Sequence, residues 1–186
     1  MRRILKIIGV VFAVLIITMI VGLGVVFLDV AGSMATGAET LPANGASVGR
    51  ALVVFNPGLT GKAKDMAAHV ADRLQVHGYQ VTLAGVKSTA AADISSYAVI
   101  VVGGPIYGGK PASSIQTYLN SLKPPQRAKV GVFGAGILKP GDPIEVAKEV
   151  APLPDGSFVT LKATMKITSG DDISSCSSDF TTALLK

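Results

Sequence analysis

The chain has 186 residues, with 17 lysines and arginines against 12 aspartates and glutamates, and a formal net charge of +5 at neutral pH. Charged residues make up 16% of it and apolar residues 49%, a composition that excludes an intrinsically disordered chain. The single cysteine excludes an intrachain disulfide framework and a cysteine zinc cluster. The positive charge is mild and scattered, so nucleic acid is not an expected partner.

An uncharged apolar segment follows the first six residues. Residues 7–28 contain no charged side chain, and as a helix they would extend about 33 Å, enough to cross a hydrocarbon core of about 30 Å. The apolar core of a cleavable signal peptide is usually shorter, about 7–15 residues. We therefore predict a transmembrane signal anchor over 7–28, while the small residues at 31–35 leave cleavage open as the alternative.

The charges on either side of this segment predict its orientation. Arg2, Arg3 and Lys6 precede it, and the first charges after it are Asp29 and Glu39. The positive-inside rule then predicts a cytoplasmic N-terminus, residues 1–6, and an extracytoplasmic domain on a single-pass protein of the cell membrane. The lipid bilayer is thus an expected partner.

Residues 29–49 separate the anchor from the first predicted strand. They consist mainly of Ala, Gly, Ser, Thr, Asn and Pro, which bury too little apolar surface to order the chain. We predict a flexible tether here and a globular domain over 50–186. The alternative is a short structured segment leading into the first strand.

Short apolar or alternating runs predict five strands in this domain, at 51–55, 79–84, 97–103, 129–134 and 158–163. Helices are predicted between them. The first has its apolar stripe at Ala63, Met66, Ala67, Val70, Ala71 and Leu74 and ends at His77-Gly78.

Three further helices are predicted. One is opened by Pro111 and carries its apolar stripe at Ile115, Tyr118, Leu119 and Leu122; one begins at the N-cap Asp142; and a short one covers 178–185. Strands that alternate with helices, joined by right-handed crossovers, predict a three-layer α/β fold with a mainly parallel sheet.

Ligands of such sheets bind beyond the carboxyl ends of the strands. The loops at 56–63, 103–110 and 134–141 follow the first, third and fourth predicted strands, and each combines glycines with a lysine. Glycine lets backbone amides approach a ligand, and a helix N-terminus offers unpaired donors to an anion. The first loop therefore favours a phosphate, with Thr60 either as a hydroxyl ligand or as the N-cap of the helix. Tyr107 in the second loop either stacks on a planar heterocycle or closes the loop against its neighbours.

Two stretches resemble the flavodoxin family. Residues 52–55 run into Thr-Gly-Lys-Ala at 60–63, and 94–111 contain an apolar strand that ends in Gly-Gly-Pro-Ile-Tyr-Gly-Gly, similar to the family's Gly-Ser/Thr-Pro-Ile/Val-Tyr-x-Gly. The resemblance implies a five-stranded parallel sheet in the order 2-1-3-4-5, preceded here by one transmembrane helix, and the cofactor FMN. The short loops and the membrane association also resemble the branch that includes menaquinone-dependent protoporphyrinogen oxidase.

The resemblance also implies which residues hold the cofactor. The phosphate would be wrapped by Gly58, Leu59, Thr60, Gly61, Lys62 and Ala63. The isoalloxazine ring would lie along Gly104, Pro105, Ile106, Tyr107 and Gly108, with Gly134, Ala135 and Gly136, followed by Ile137, over its other side. Tyr107 would stack on the ring and the peptide at Gly108 would meet its N5. No catalytic side chain and no metal ligand is identified.

The phosphate loop departs from the family pattern. Gly58 and Ala63 stand where the family's Ser/Thr-x-Thr-Gly-x-Thr motif carries hydroxyls. Two functions therefore stay open: a membrane-anchored FMN redox protein that exchanges electrons with a quinone or organic partner, and a cofactor-free binding domain on the same anchor. Lys62, Lys110 and Lys139 on the three loops would favour a reduced, anionic flavin and so raise its reduction potential.

Overall fold

A computed structural model describes residues 11–19, 36–139 and 141–186. The chain divides into two units, Met1–Ser33 and Met34–Lys186. In the first unit, residues 11–19 are helical (α1) and exposed. No helix within the described ranges has both the length and the apolar character needed to span a membrane. The rest of the predicted anchor, residues 7–10 and 20–28, lies outside the described residues, as do the basic N-terminus and residues 29–35.

The second unit contains a seven-stranded sheet. Its strands are β1 (Ala38–Leu41), β2 (Gly49–Phe55), β3 (Tyr79–Gly85), β4 (Val99–Tyr107), β5 (Lys110–Pro111), β6 (Lys129–Ala135) and β7 (Leu161–Ile167). They are ordered β1-β3-β2-β4-β6-β7, and β5 pairs with β4 alone. Five neighbouring strands of this sheet, in the order β3-β2-β4-β6-β7, are parallel to one another. This is the predicted strand order 2-1-3-4-5. The prediction of five strands in all is wrong, because β1 and β5 are added antiparallel.

Strand β1 corrects the predicted tether. Ala38–Leu41 pairs with β3, and the amides of Asn44 and Val48 donate to the carbonyls of Gln75 and Gly78 at 3.1 and 2.8 Å. Residues 36–49 are therefore not a flexible linker, and the unit begins before residue 50. The physical reason is that an unpaired sheet edge binds an extended segment through main-chain hydrogen bonds, which an apolar-poor sequence can still supply.

The helices of this unit are α2 (Lys62–Val76), α3 (Ser113–Ser121), α4 (Pro143–Val150) and α5 (Ile173–Leu185), with a 3₁₀ turn at Thr89–Ala91. The predicted apolar stripe of α2 is buried as expected, and His77 is its C-cap. Asp142 caps α4 by accepting from the amides of Ile144 and Glu145. Several boundaries differ from the predicted ones. Pro111 lies in β5 rather than in α3, β4 continues to Tyr107, β7 starts three residues later, and α5 starts earlier because Asp172 caps it.

Both faces of the sheet are covered, which gives two separate cores. Along β2 the side chains alternate, so that Val53 and Phe55 face the core under α2 and α5 while Leu52 and Val54 face the core under α3 and α4. Phe133 and Phe180 meet edge to face in the first core, with centroids 6.0 Å apart. All residues of both cores belong to Met34–Lys186. Among the described residues, both cores are therefore built from this unit alone, and we expect it to fold without the preceding residues.

Candidate functional site

The loops that follow β2, β4, β6 and β7 meet at the carboxyl edge of the sheet and enclose a cleft with two connected lobes. The first lobe has a volume of about 230 Å³. It is lined by Leu59, Thr60, Lys62, Pro105, Ile106, Tyr107, Ala135, Gly136, Ile137 and Ser169. The second lobe, of about 300 Å³, shares four of these residues and adds Gly108, Gly109, Leu138, Glu149 and Lys166. Together the lobes fall in the size range of small-molecule sites.

Asn56 fixes the start of the loop after β2. Its side chain is buried, accepts a hydrogen bond from the amide of Gly58 at 3.0 Å and donates one to the hydroxyl of Ser114 at 2.8 Å. Gly58 follows with a φ of 65°, and a Cβ atom at this position would lie 2.9 Å from the Cβ of Pro105. The first loop thus packs closely against the loop after β4, and only glycine allows that approach.

The N-terminus of α2 carries free backbone donors next to residues that line the first lobe. Its N-cap is Gly61, with φ 72° and no side-chain cap, so the predicted N-cap role of Thr60 is wrong. The Thr60 hydroxyl instead accepts from the amide of Lys62 at 3.4 Å. Within the described part of the chain, the amides of Gly61, Ala63 and Lys64 donate to no acceptor. Unpaired amides at the positive end of a helix dipole form an anion site, and a phosphate fits them.

Tyr107 bridges the first two loops. It ends β4, and Gly108 and Gly109, with φ 58° and 77°, make the two-residue turn into Lys110. The side chain is 43% exposed, and its hydroxyl accepts a hydrogen bond from the amide of Leu59 at 3.4 Å. The two segments therefore lie side by side at the mouth of the first lobe. In this arrangement the ring closes the loop against its neighbours, and stacking on a ligand stays a prediction.

A buried ion pair lies in the second lobe. The ammonium of Lys166 on β7 is 2.6 and 2.7 Å from the two carboxylate oxygens of Glu149 on α4, with side chains 3% and 19% exposed. It is the one salt bridge in the described ranges. A Cβ atom on Gly136 would lie 3.1 Å from the Cε of Lys166, which places the lysine end of the pair directly beneath the junction of the two lobes.

The loop after β7 supplies the remaining wall. Ser169 lines the first lobe, and the ammonium of Lys62 donates to the carbonyl of Asp171 at 3.4 Å. The Asp171 carboxylate accepts from the amide and the hydroxyl of Thr168 at 2.6 and 2.9 Å. These hydrogen bonds, with smaller contributions from Lys62 and Lys139, lower the pKa of Asp171 below its usual value. Lys62 is thus held at the cleft by a loop that the sequence did not implicate.

The predicted site residues fall into three groups. Those that line a lobe are Leu59, Thr60, Lys62, Pro105, Ile106, Tyr107, Gly108, Ala135 and Gly136. Gly58, Gly61 and Ala63 belong to the loop after β2 and the start of α2 and line neither lobe. Gly104 and Gly134 are packing positions, because a Cβ there would lie 2.5 Å from Ile115 and 2.3 Å from Ile106, respectively.

The lining also contains residues that the sequence did not mark as site residues, among them Ser169, Glu149 and Lys166. A lysine in an alternating strand is normally assigned to the solvated face, so no sequence signal marked Lys166 as buried. The predicted fifth strand also ended at residue 163, three positions before it, whereas β7 continues to Ile167.

Comparison with known proteins bears on the fold. No protein-family model matches the sequence, and no curated protein matches it. Solved structures do match. A flavodoxin from Streptococcus pneumoniae is 20% identical with a TM-score of 0.55, and the alignment covers 73% of this chain and 97% of that one.

Two larger proteins match over part of their length. Rubredoxin oxygen:oxidoreductase from Desulfovibrio gigas is 17% identical with a TM-score of 0.55, and a flavodiiron core from Synechocystis is 21% identical with a TM-score of 0.53. The alignments cover 75% and 76% of this chain but 37% of each of those chains. At these identities the likeness shows the fold alone: the unit Met34–Lys186 has a flavodoxin-like α/β fold.

Proposed function

We propose that this domain binds FMN in the two-lobed cleft and acts as a redox protein. The observation that carries the proposal is the contact between Leu59 and Tyr107. It joins a loop of free helix-terminal amides, suited to a phosphate, to an aromatic ring at the mouth of the same cleft. A flavodoxin-like fold whose carboxyl edge combines these two elements suits a flavin mononucleotide.

The residues present fit this cofactor lobe by lobe. In the first lobe, the Thr60 hydroxyl, the Lys62 ammonium and the free amides at the start of α2 would hold the phosphate. Tyr107 and Ile137 line both lobes and would lie against the ring system. When bound, FMN supplies one- and two-electron chemistry, while the protein excludes water and sets the electrostatic surroundings.

The rim of the cleft supports an organic electron partner. Leu59, Ile137 and Leu138 are exposed large aliphatic residues beside the two lobes, and Ile137 is 88% exposed. An apolar rim around a redox cofactor suits a quinone or another apolar organic molecule, in agreement with the resemblance to the protoporphyrinogen oxidase branch. The nearby lysines suit a cofactor of higher potential than that of acidic flavodoxins.

The proposed location is the cell membrane, through a single-pass anchor at residues 7–28 with the domain on the extracytoplasmic side. The uncharged apolar segment and the basic residues that precede it support this proposal.

The test is a titration of residues 34–186 with FMN and, separately, with riboflavin. We expect flavin fluorescence to be quenched by FMN binding and the affinity for riboflavin to be at least tenfold lower, because riboflavin lacks the phosphate. Lys62→Gln should weaken FMN binding and leave riboflavin binding unchanged. Lys64→Gln, two residues along the same helix on its exposed side, is the matched control. Equal affinity for both flavins would contradict the assigned phosphate lobe.

The second candidate is a binding domain without cofactor, which the Tyr107 position favours. Its hydroxyl is already paired with the Leu59 amide, and two hydroxyl-bearing positions of the family's phosphate loop are Gly58 and Ala63. A properly folded domain that fails to quench FMN fluorescence would establish this candidate in place of the redox protein.

A further inference from the structure

We propose that the Lys166–Glu149 ion pair sets the reduction potential of the bound flavin by placing a buried positive charge beneath the cleft. This inference rests on the proposed function. It assigns a role to two residues that the resemblance to flavodoxins did not implicate.

Stability does not account for this pair. Transfer of two charged groups from water into the protein carries a desolvation cost that their attraction often only balances, and apolar residues of similar volume usually fill such a position as well. Lys166 lies between Met165 and Ile167 on a strand whose neighbours are mostly apolar. A methionine could occupy its place without a buried charge.

Both members of the pair line the second lobe, and the lysine is the one that also lies against the wall shared with the first lobe. The Cε of Lys166 lies against Gly136, which lines both lobes. The Glu149 carboxylate is on α4 and is the more exposed partner, 19% against 3%. Water screens exposed charges more than buried ones, so the field at the junction of the lobes is dominated by the ammonium.

The other charges at this edge of the sheet act on the cleft more weakly than the Lys166 ammonium. Lys110 and Lys139 are exposed, and the Lys62 ammonium reaches out to the carbonyl of Asp171 at an exposed position. The carboxylates of Asp142, Asp171 and Asp172 are exposed, so water screens their charges. Lys166 is therefore the one described cation that acts on the cleft through a low-dielectric medium.

The chemistry follows from charge balance. Full reduction by an added reductant such as dithionite transfers two electrons to the flavin, and uptake of one proton leaves a single negative charge on the ring. A fixed positive charge beside the ring stabilises this anion and not the neutral oxidised form. Lys166 should thus strengthen binding of the reduced cofactor selectively and raise the potential.

The experiment measures the affinities of oxidised and reduced FMN and the potential, in residues 34–186. In the variant that combines Lys166→Met with Glu149→Gln, no charge is left unpaired. We expect reduced FMN to bind at least tenfold more weakly and oxidised FMN to bind within twofold of wild type, equivalent to a fall of about 30 mV for a two-electron couple. Glu149→Gln alone should shift the potential upward, because the ammonium loses its counter-charge.

Opposite shifts in these two variants separate an electrostatic role from a structural one, since loosened packing would move both in the same direction. Lys166→Arg keeps the charge and should bind reduced FMN within twofold of wild type. Lys162→Met removes an exposed lysine from the same strand and is the matched control.

An unchanged potential in the folded double variant would overturn the inference and leave the proposed function standing. So would shifts of equal sign in the double variant and in Glu149→Gln. A wild-type domain that binds no FMN would overturn both.

Discussion

The amide of Leu59 donates a hydrogen bond to the hydroxyl of Tyr107 at 3.4 Å, across 48 residues of sequence. This bond joins the loop after β2 to the end of β4 at the mouth of the cleft. It occupies a backbone donor that a phosphate or a ribityl chain could otherwise use. The contact therefore makes the role of the ring testable apart from the role of the hydroxyl.

Removal of the Tyr107 hydroxyl should not weaken flavin binding. Tyr107→Phe keeps the ring and frees the Leu59 amide, so we expect FMN affinity equal to or higher than that of wild type. Tyr107→Leu removes the aromatic face and should lower the affinity by roughly two- to tenfold, since an aromatic pair contributes roughly 0.5–1.5 kcal/mol beyond its buried area. Fluorescence titration measures both. A tenfold loss in Tyr107→Phe would show that the hydroxyl, and not the ring, binds the cofactor.

Gly58 and Gly61 should differ in their tolerance of alanine. Both have positive φ, but a Cβ on Gly58 meets Pro105 at 2.9 Å while a Cβ on Gly61 meets nothing within 4 Å. Gly61→Ala should lower the free energy of unfolding by about 1–2 kcal/mol for the left-handed backbone alone. Gly58→Ala should cost roughly 1–3 kcal/mol more because of overpacking. Urea unfolding checks the difference, and equal losses would mean that the two loops do not pack as described.

Gly104 should prove to be a packing residue rather than a cofactor ligand. A Cβ there lies 2.5 Å from the Cγ1 of Ile115, so Gly104→Ala should destabilise the domain by about 1–3 kcal/mol. Combined with Ile115→Ala, its additional cost should nearly vanish, because the obstructing side chain is gone. A double-mutant cycle from denaturant unfolding measures this coupling. Purely additive losses would argue against the contact.

Asp171 should contribute stability only above acidic pH. Its hydrogen bonds to Thr168 lower the pKa in the folded state, so the contribution is fully present above the unfolded pKa of about 3.9 and is lost as pH falls through the folded value. Asp171→Asn should therefore be less stable than wild type near pH 7, with a deficit that shrinks below about pH 4. Thermal unfolding of both proteins, measured from pH 7 to below pH 4, gives this deficit.

The control for this prediction is Asp155→Asn, because Asp155 is exposed and no hydrogen bond of its side chain occurs in the described ranges. The difference in stability between Asp155→Asn and wild type should not vary with pH in the same way. A deficit of Asp171→Asn that stays constant down to pH 3 would mean that the carboxylate is not the form that binds Thr168.

Several features were determined by the sequence alone. The six apolar positions of α2 are all buried, and the central strands form where apolar runs predicted them, because side-chain periodicity and burial are local properties of the chain. The Asp142 cap of α4 and the His77 end of α2 follow from the same local chemistry. The glycine-rich loops after β2, β4 and β6 were identified for the same reason.

Only the tertiary structure decided which of these residues meet. The pairing of β1 with β3, the approach of Gly58 to Pro105 and the burial of Lys166 beside Gly136 each depend on segments far apart in the chain. Neither hydropathy nor residue type predicts such contacts. The main chain at a sheet edge pairs with almost any extended segment. A lysine is buried only where a carboxylate such as Glu149 comes within reach.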